Sequence, residues 1–248
     1  MTRILLCGAS GRMGRVIHGL TEQQESLTIA GGVDAFKSAT PFPLYSSFEE
    51  INTDADVIVD FSHPDSLDDL LAYATARQLP VVIGTTGYTK AQIEKIHAAS
   101  EKIPIFFTFN LSLGINLLCS LAKKAAAFLG DDFNVEIIEK HHNQKIDAPS
   151  GTALMLANAV NETFGERCVY EYDRHSKRQK RSKNEIGIHS IRGGTIVGEH
   201  EVLFAGHDET ITLSHSAASK EVFASGALKA AAFLIGKPAG MYTMSDLI

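Results

Sequence analysis

Arg3–Gly14, RILLCGASGRMG, is the stretch on which the fold turns. Its first half, RILLCG, is a short apolar run of the kind that forms a buried strand. Gly8, Gly11 and Gly14 then make a GxxGxxG pattern, and the text from Arg12 to about Gln24 has a helical character. Glycines at a strand-to-helix turn let the backbone bend sharply and approach a pyrophosphate. The helix start adds N–H donors and the positive end of the helix dipole. Asp34 closes the next strand candidate, LTIAGGVD, 20 residues after Gly14. A carboxylate there accepts hydrogen bonds from the hydroxyls of the adenine-side ribose. Strand, glycines, helix and acid together point to a dinucleotide site; the plain alternative is a tight βα turn with no ligand. Asp34 disfavours a 2′-phosphate, and Ala35 has no guanidinium to receive one, although Lys37 offers partial compensation. On charge the cofactor is NADH rather than NADPH, with NADPH left open.

Working outward, the first half alternates strands with helices. DADVIVDFS, LPVVIGTTG and IPIFFTF read as strands, with helices in SLDDLLAYATARQ and YTKAQIEKIHAAS. Strands apolar throughout and separated by amphipathic helices imply an α/β fold with a parallel sheet covered on both faces. Gly84, Thr85, Thr86 and Gly87 follow one such strand, at the edge where a cofactor crevice is expected. After Asn110 the pattern changes. A long helix is predicted over 113–129, then a strand NVEIIEKHH, then a helix opening near Ser150. From Ile186 to Ser216 the text predicts antiparallel strands joined by turns at Gly193–Gly194 and Gly206–Asp208. The closing SKEVFASGALKAAAFLIGK is helical again.

The 248 residues carry 44% hydrophobic and 21% charged side chains, enough for a sizeable core on an ordinary surface. A net charge of -6 gives no general pull toward nucleic acid or membrane. Cys7, Cys119 and Cys168 are widely spaced, form no CxxC pair and suit a reducing cytosol. No signal peptide is read at the start, and no apolar run is expected to approach the ~20 residues that span a bilayer. The expectation is a soluble, cytoplasmic protein.

The second informative stretch is Glu139–Ala153, EKHHNQKIDAPSGTA. His141 and His142 end a strand, where neighbouring side chains point to opposite faces, so the pair is a poor chelate. No other His/Cys/Asp group has zinc-site spacing, and no metal is expected. A structural histidine is one alternative. The other is anion binding with proton transfer. Ser150 is a natural N-cap for the helix TALMLANAV, and the backbone at Gly151 and Thr152 then offers a carboxylate or phosphate seat. Lys145 adds a full charge, and His141 and Lys145 are both plausible acids near neutral pH.

At these residues the sequence resembles the dihydrodipicolinate reductase family of lysine biosynthesis. The resemblance rests on GASGRMGR, VDFSHP, VIGTTGY, NLSLGINLL, EIIEKHHNQKIDAPSGTA, IRGGTIVGEHEVLF and FASGALKAAAFLIGKPAGMYTM, in the family's order over nearly the whole chain. It implies a Rossmann-type dinucleotide-binding domain, residues 1–112 plus 222–248. An inserted α+β substrate-binding and oligomerisation domain of mixed or antiparallel sheet, 113–221, should interrupt it, with the last helix packing back on the first domain. It also implies a homotetramer built through the sheets of the inserted domains, and hinge closure between domains. The implied reaction is reduction of 4-hydroxy-tetrahydrodipicolinate, a small dicarboxylate, to tetrahydrodipicolinate by NADH or NADPH. His141 matches the family's proton donor and Lys145 its assisting lysine. The substrate carboxylates fall to His142 and to Ser150, Gly151 and Thr152. Cofactor contacts carry over to Gly8, Ala9, Ser10, Gly11, Arg12, Met13, Asp34, Gly84, Thr85 and Thr86, and to Thr108, Phe109, Asn110 and Leu111.

Two departures matter. The loop after Tyr172 reads DRHSKRQKRSK, with six Lys/Arg between Arg174 and Lys183, where the family often has glycines and one arginine. A solvated surface loop is the favoured reading; a positive funnel for anionic ligands is the other. It holds no aromatics that would suit nucleic acid. Ala35 stands where some members carry arginine, which puts NADPH preference in doubt. Arg192, Glu199 and His200 fall in a matching stretch and are divided between the substrate pocket and a subunit interface.

Overall fold

A computed structural model describes residues 1–36 and 38–247, so Lys37 and its expected compensation for a 2′-phosphate lie outside the described residues. The chain forms two compact units, Met1–Leu113 with Lys220–Ile248, and Gly114–Ser219.

The first unit is a seven-stranded parallel sheet. Its elements in chain order are β1 (Thr2–Cys7), α1 (Arg12–Thr21), β2 (Leu27–Val33), β3 (Leu44–Tyr45), β4 (Val57–Asp60), α2 (Leu67–Arg77), β5 (Val81–Ile83), α3 (Lys90–Ser100) and β6 (Pro104–Phe107). The strand order is β12-β6-β5-β4-β1-β2-β3, β12 coming from the far end of the chain. The strand order therefore reverses between β1 and β4, where open α/β sheets bind ligands at their carboxyl ends. Strands buried on both faces explain the unbroken apolar runs of the sequence. One face packs Ile4, Leu6, Val57, Val59 and Phe106 against α1 and the closing helix. The other packs Leu5, Ile58, Val81 and Ile83 against α2 and α3. The capping box of Thr89 and Gln92 starts α3.

The second unit holds α4 (Leu113–Leu129), β7 (Asn134–His141), α5 (Gly151–Thr163), β8 (Val169–Glu171), β9 (Glu185–Arg192), β10 (Gly198–Ala205) and β11 (Thr210–Ala217). Its sheet is mixed, in the order β11-β10-β7-β9-β8. β10 pairs antiparallel with β11 and with β7, whereas β7 and β8 run parallel to β9. The run of antiparallel strands expected from Ile186 onward is corrected here. β7 lies between β9 and β10, so Gly193–Gly194 does not close a hairpin, whereas the Gly206–Glu209 turn does. β7 alternates, with Val135, Ile137, Glu139 and His141 facing inward. One sheet face packs with α4 and α5 around Ile115, Leu118, Ile137, Leu156, Ile188 and Val202.

The closing residues return to the first unit as α6 (Glu221–Leu234) and β12 (Gly240–Tyr242). Ala224, Ala227, Leu228 and Ala231 of α6 are buried with β1 and β4 side chains. β12 adds parallel to β6, a strand that the helical reading of this end missed.

A second correction concerns α4. With the 3-10 turn that follows, Leu113–Asp132 is long and apolar enough to cross a membrane by length and composition. Its small residues Ala122 and Ala126 are buried with Ile115 and Leu118, and Lys123 pairs with Glu162 of α5 at 2.7 Å. Two adjacent ammonium groups at mid-helix would be costly in hydrocarbon, which makes it a packing helix of this unit.

The basic loop is neutralised where it folds. Arg174 pairs with Glu185 and Lys177 with Glu171. Arg181 reaches across the sheet to Glu136 at 2.8 Å and also donates to Asn134 Oδ1 and to the carbonyls of Val135, Ser182 and Glu185. Three of its six cations are thus spent on carboxylates of the same unit, which supports the surface-loop reading over the funnel.

Candidate functional site

In the first unit the glycine loop is a close-packed backbone turn. Gly8 has φ +75°, and a Cβ there would lie 2.3 Å from the Phe61 carbonyl oxygen. At Gly14 a Cβ would lie 2.4 Å from the Gly8 oxygen and 2.5 Å from that of Ala9. Only glycine at these two positions lets the turn close on itself. Gly11 caps α1 without a side-chain hydrogen bond, and no acidic residue lies in the first turn. Arg12 and Met13 open the helix there. A positive helix end without a competing carboxylate of its own is a seat for an anion.

Asp34 follows β2 directly, and its carboxylate accepts N–H bonds from Ser10 and Phe36, each at 2.9 Å. The predicted ribose ligand therefore also ties the glycine loop to the end of β2. A cavity of about 370 Å³ opens beside it, lined among others by Gly8, Gly11, Asp34, Ala35, Phe36 and Phe61. Ala9 is buried. Gly84 and Thr85 follow β5, and a Cβ at Gly84 would strike the Phe61 ring at 2.4 Å. Asp60, fully buried at the end of β4, accepts from the Ser62 hydroxyl at 2.5 Å; burial raises its carboxyl pKa against that hydrogen bond. Thr108–Leu111 follow β6 as a turn in which Thr108 bonds the Asn110 backbone and Asn110 Oδ1 accepts from Ser112. Asn110 and Leu111 are buried, and Phe109 is 72% exposed. The predicted cofactor residues thus all lie at the carboxyl ends of β1, β2, β5 and β6.

In the second unit two of the other predicted residues, His141 and Ser150, bond one buried carboxylate. Glu139 is 0% exposed. Its Oε2 meets His141 Nδ1 at 2.6 Å and accepts from Arg192 Nη1 at 2.8 Å; its Oε1 accepts from Arg192 Nη2 at 2.7 Å and from the Ser150 N–H at 3.1 Å. Burial pushes the Glu139 carboxyl up, but the bonds from Arg192, His141, Ser190 and Ser150 outweigh it and hold the pKa at about 2. An ionised carboxylate at Nδ1 makes that nitrogen the donor. His141, 9% exposed, has a lowered pKa: burial is the main cause, Glu139 opposes it, and the charges of Lys145 and Arg192 add to it. The imidazole is pushed toward its neutral form, further from an acid than the sequence suggests.

Ser150 caps α5, its hydroxyl accepting the Ala153 N–H at 3.2 Å. The same hydroxyl meets His200 Nε2 at 3.1 Å, and the His200 ring stands edge-on to His141 at 5.2 Å. Burial, and then the neighbouring His141, lower the His200 pKa to about 4. Gly151 is exposed, with nothing within 4 Å of where its side chain would be. Thr152 follows in the first turn of α5. Lys145 pairs with Asp147 at 2.8 Å, and its N–H closes a turn onto the His142 carbonyl.

Sequence reasoning gave Glu139 no task and left Arg192 and His200 unplaced. A signal was present: Glu139 and His141 continue the inward period-two phase of Val135 and Ile137, where a charge must find a partner. The partner's identity was not legible, because Arg192 is opposite His141 only through the β7–β9 register.

Comparison with known proteins gives one answer over the whole chain. Residues 2–111 match the family model described as dihydrodipicolinate reductase, N-terminus, and residues 114–248 the one described as dihydrodipicolinate reductase, C-terminus. The chain is 50% identical over 248 residues to a 4-hydroxy-tetrahydrodipicolinate reductase of Caldanaerobacter subterraneus subsp. tengcongensis, covering 100% of this chain and 98% of that protein. It is 50% identical over 249 residues to the reductase of the same name from Clostridium novyi, again covering 100% and 98%. A solved structure, dipicolinate-bound dihydrodipicolinate reductase from Paenisporosarcina sp. TG-14, superposes with TM-score 0.83 at 25% identity, covering 100% of both chains. Glycine loop, strand order and histidine cluster thus meet in one lineage: the chain belongs to the dihydrodipicolinate reductase family.

Proposed function

We propose that this chain reduces 4-hydroxy-tetrahydrodipicolinate to tetrahydrodipicolinate with NAD(P)H, in diaminopimelate and lysine biosynthesis. Family membership over the full length supports the reaction. The observation that carries the mechanism is the buried Glu139–His141 pair beside the capped start of α5.

The dinucleotide fits the first unit, where Gly8 and Gly11 of the tight turn after β1 line the 370 Å³ cavity beside Asp34. When bound, it supplies the hydride. The backbone from Gly8 to Met13 would hold its pyrophosphate, Asp34 its ribose hydroxyls, and Gly84–Thr86 with Thr108–Leu111 its nicotinamide half. Asp34 and Ala35 favour NADH. In the second unit, Ser150, Gly151 and Thr152 at the start of α5 would seat one substrate carboxylate, and His142 the other. Lys145 adds positive charge, screening the dianion. A dianion beside His141 raises the pKa that burial has lowered, so substrate arrival charges the acid when it is needed. His141, assisted by Lys145, then supplies the proton as negative charge develops on the reduced ring.

The same reading makes the enzyme a cytoplasmic homotetramer, in keeping with three free cysteines and with the partly exposed sheet face bearing Ile138, Ile191 and Leu203.

Two measurements test it. His141→Gln combined with Lys145→Cys should abolish oxidation of NADH by freshly made substrate while sparing NADH binding; unchanged turnover would refute the assignment. The ratio of rates with NADH and NADPH, in wild type and Asp34→Ala, tests the cofactor. A shift of that ratio toward NADPH in the variant is expected, and an unmoved ratio removes Asp34 from the argument.

A further inference from the structure

We propose that Glu139 is the positioning residue of this reduction: one buried carboxylate fixes which nitrogen of His141 carries the proton and holds the Ser150 turn and the Asp147 segment around it. The inference rests on the reading of His141 as the proton donor.

Donors from three segments converge on its two oxygens: His141 Nδ1 from β7, two N–H groups of Arg192 and the Ser190 side chain from β9, and the Ser150 backbone N–H. Arg192 passes the anchorage on. Its Nη2 donates to the Asp147 carbonyl at 2.6 Å and its Nη1 to the Ile191 carbonyl at 2.8 Å. The residues between Lys145 and the α5 cap are thus pinned to the same carboxylate that orients the imidazole. Because Glu139 holds Nδ1–H, it is Nε2 that faces away and can exchange a proton. A Cβ at Gly198 would stand 3.2 Å from Nε2, so this glycine leaves that nitrogen room. The carboxylate touches no reacting atom in this scheme; it acts through His141, as orienting acids do in other acid–base sites.

The charges round His141 separate this role from simple support of the fold. Glu139 on its own strand favours the imidazolium, whereas Lys145 from the loop and Arg192 from β9 oppose it. His200 from β10 stands edge-on to the ring, and Asp147 is paired with Lys145. Removing only the Glu139 charge leaves the half-buried Arg192 without its carboxylate partner and His141 facing two cations. Attraction for a dianionic substrate survives this, while the proton donor does not.

Glu139→Gln is expected to lower kcat by roughly 100-fold, the worth of a general acid, with KM changed by less than about threefold. The limb of the pH–rate profile that falls as His141 loses its proton should move to lower pH. Wild-type kcat and an unmoved limb in the folded variant would overturn the proposal. Glu139→Gln with Arg192→Gln removes the orphaned cation. This pair should regain thermal stability without regaining kcat; recovery of both would mean that Glu139 serves only to neutralise Arg192. For the case in which neither variant folds, ring ¹⁵N spectra of the wild-type protein decide, because His141 must appear as the Nδ1–H tautomer. An Nε2–H tautomer overturns the proposal. A wild type without turnover would sink the functional reading beneath it, whereas normal turnover in Glu139→Gln sinks the proposal alone.

Discussion

Gly14→Ala against Gly19→Ala sets two opposing effects on one helix. Both glycines lie in α1, Arg12–Thr21, and in an open helix each change should stabilise by about 1 kcal/mol through helix propensity. At Gly19 nothing lies within 4 Å of the new methyl, so that gain should appear undiminished. At Gly14 the methyl would sit 2.4 Å from the Gly8 oxygen and 2.5 Å from the Ala9 oxygen. Both obstacles are backbone, held by the bonds of Gly8 N to the Val33 carbonyl and of Gly11 N to the Gly8 carbonyl. Forcing a methyl into such a contact costs about 3 kcal/mol, the upper end of overpacking in well-packed sites. The net for Gly14→Ala is a loss of about 2 kcal/mol. At about 2–4 °C per kcal/mol for a protein of this size, Tm should fall by about 4–8 °C, and rise by about 2–4 °C in Gly19→Ala. The displaced loop should also weaken NADH binding by about tenfold, equivalent to about 1.4 kcal/mol, while Gly19→Ala leaves it unchanged. Thermal unfolding and NADH fluorescence titration of the two proteins check this. Equal Tm and equal NADH affinity in both variants would refute the reasoning that the loop closes on Gly14.

Three further outcomes are expected. Ser150→Ala removes the α5 cap and should lower stability by about 1 kcal/mol by urea unfolding; with the carboxylate seat loosened, KM for substrate should rise while NADH affinity holds. The His200 pKa falls on folding from 6.5 to about 4, so its neutral state contributes stability that is complete above pH 6.5 and lost as pH falls through 4; His200→Asn should flatten that part of the urea midpoint against pH. Glu139, lowered from 4.5 to about 2, contributes stability present above pH 4.5 and lost only as pH falls through 2, so the acid limb in that lower window should persist in the same variant. Arg181→Ala removes a guanidinium bonded to one carboxylate, one amide oxygen and three carbonyls; stability should fall by about 1.5–3 kcal/mol and proteolysis should begin between Arg174 and Lys183.

Where sequence reading failed, long-range pairing was at work. The Gly193–Gly194 turn has hairpin chemistry, yet β9 and β10 are kept apart by β7, which is far away in sequence and enters between them. β12 is three residues long and pairs only with β6, so no periodicity announces it. The apolar length of α4 was understated because its outward face keeps Leu117, Leu121 and Phe128 exposed instead of alternating cleanly with polar residues. Arg181 looks like one more charge in a basic run, and only the folded loop lays it across the sheet onto Glu136.

The sequence by itself determined the features governed by neighbours along the chain. The glycine turn after β1, the Asp34 at the end of β2, the 113–129 helix and the Ser150 cap each follow from backbone conformation, period or a hydrogen bond spanning a few residues. Tertiary structure decided the order of strands in the second sheet, the embrace of Glu139 by Arg192, and with it the protonation state offered by His141. These depend on which distant segments meet, and on the low dielectric at their meeting point, where a buried charge is settled by its partner and not by its place in the chain.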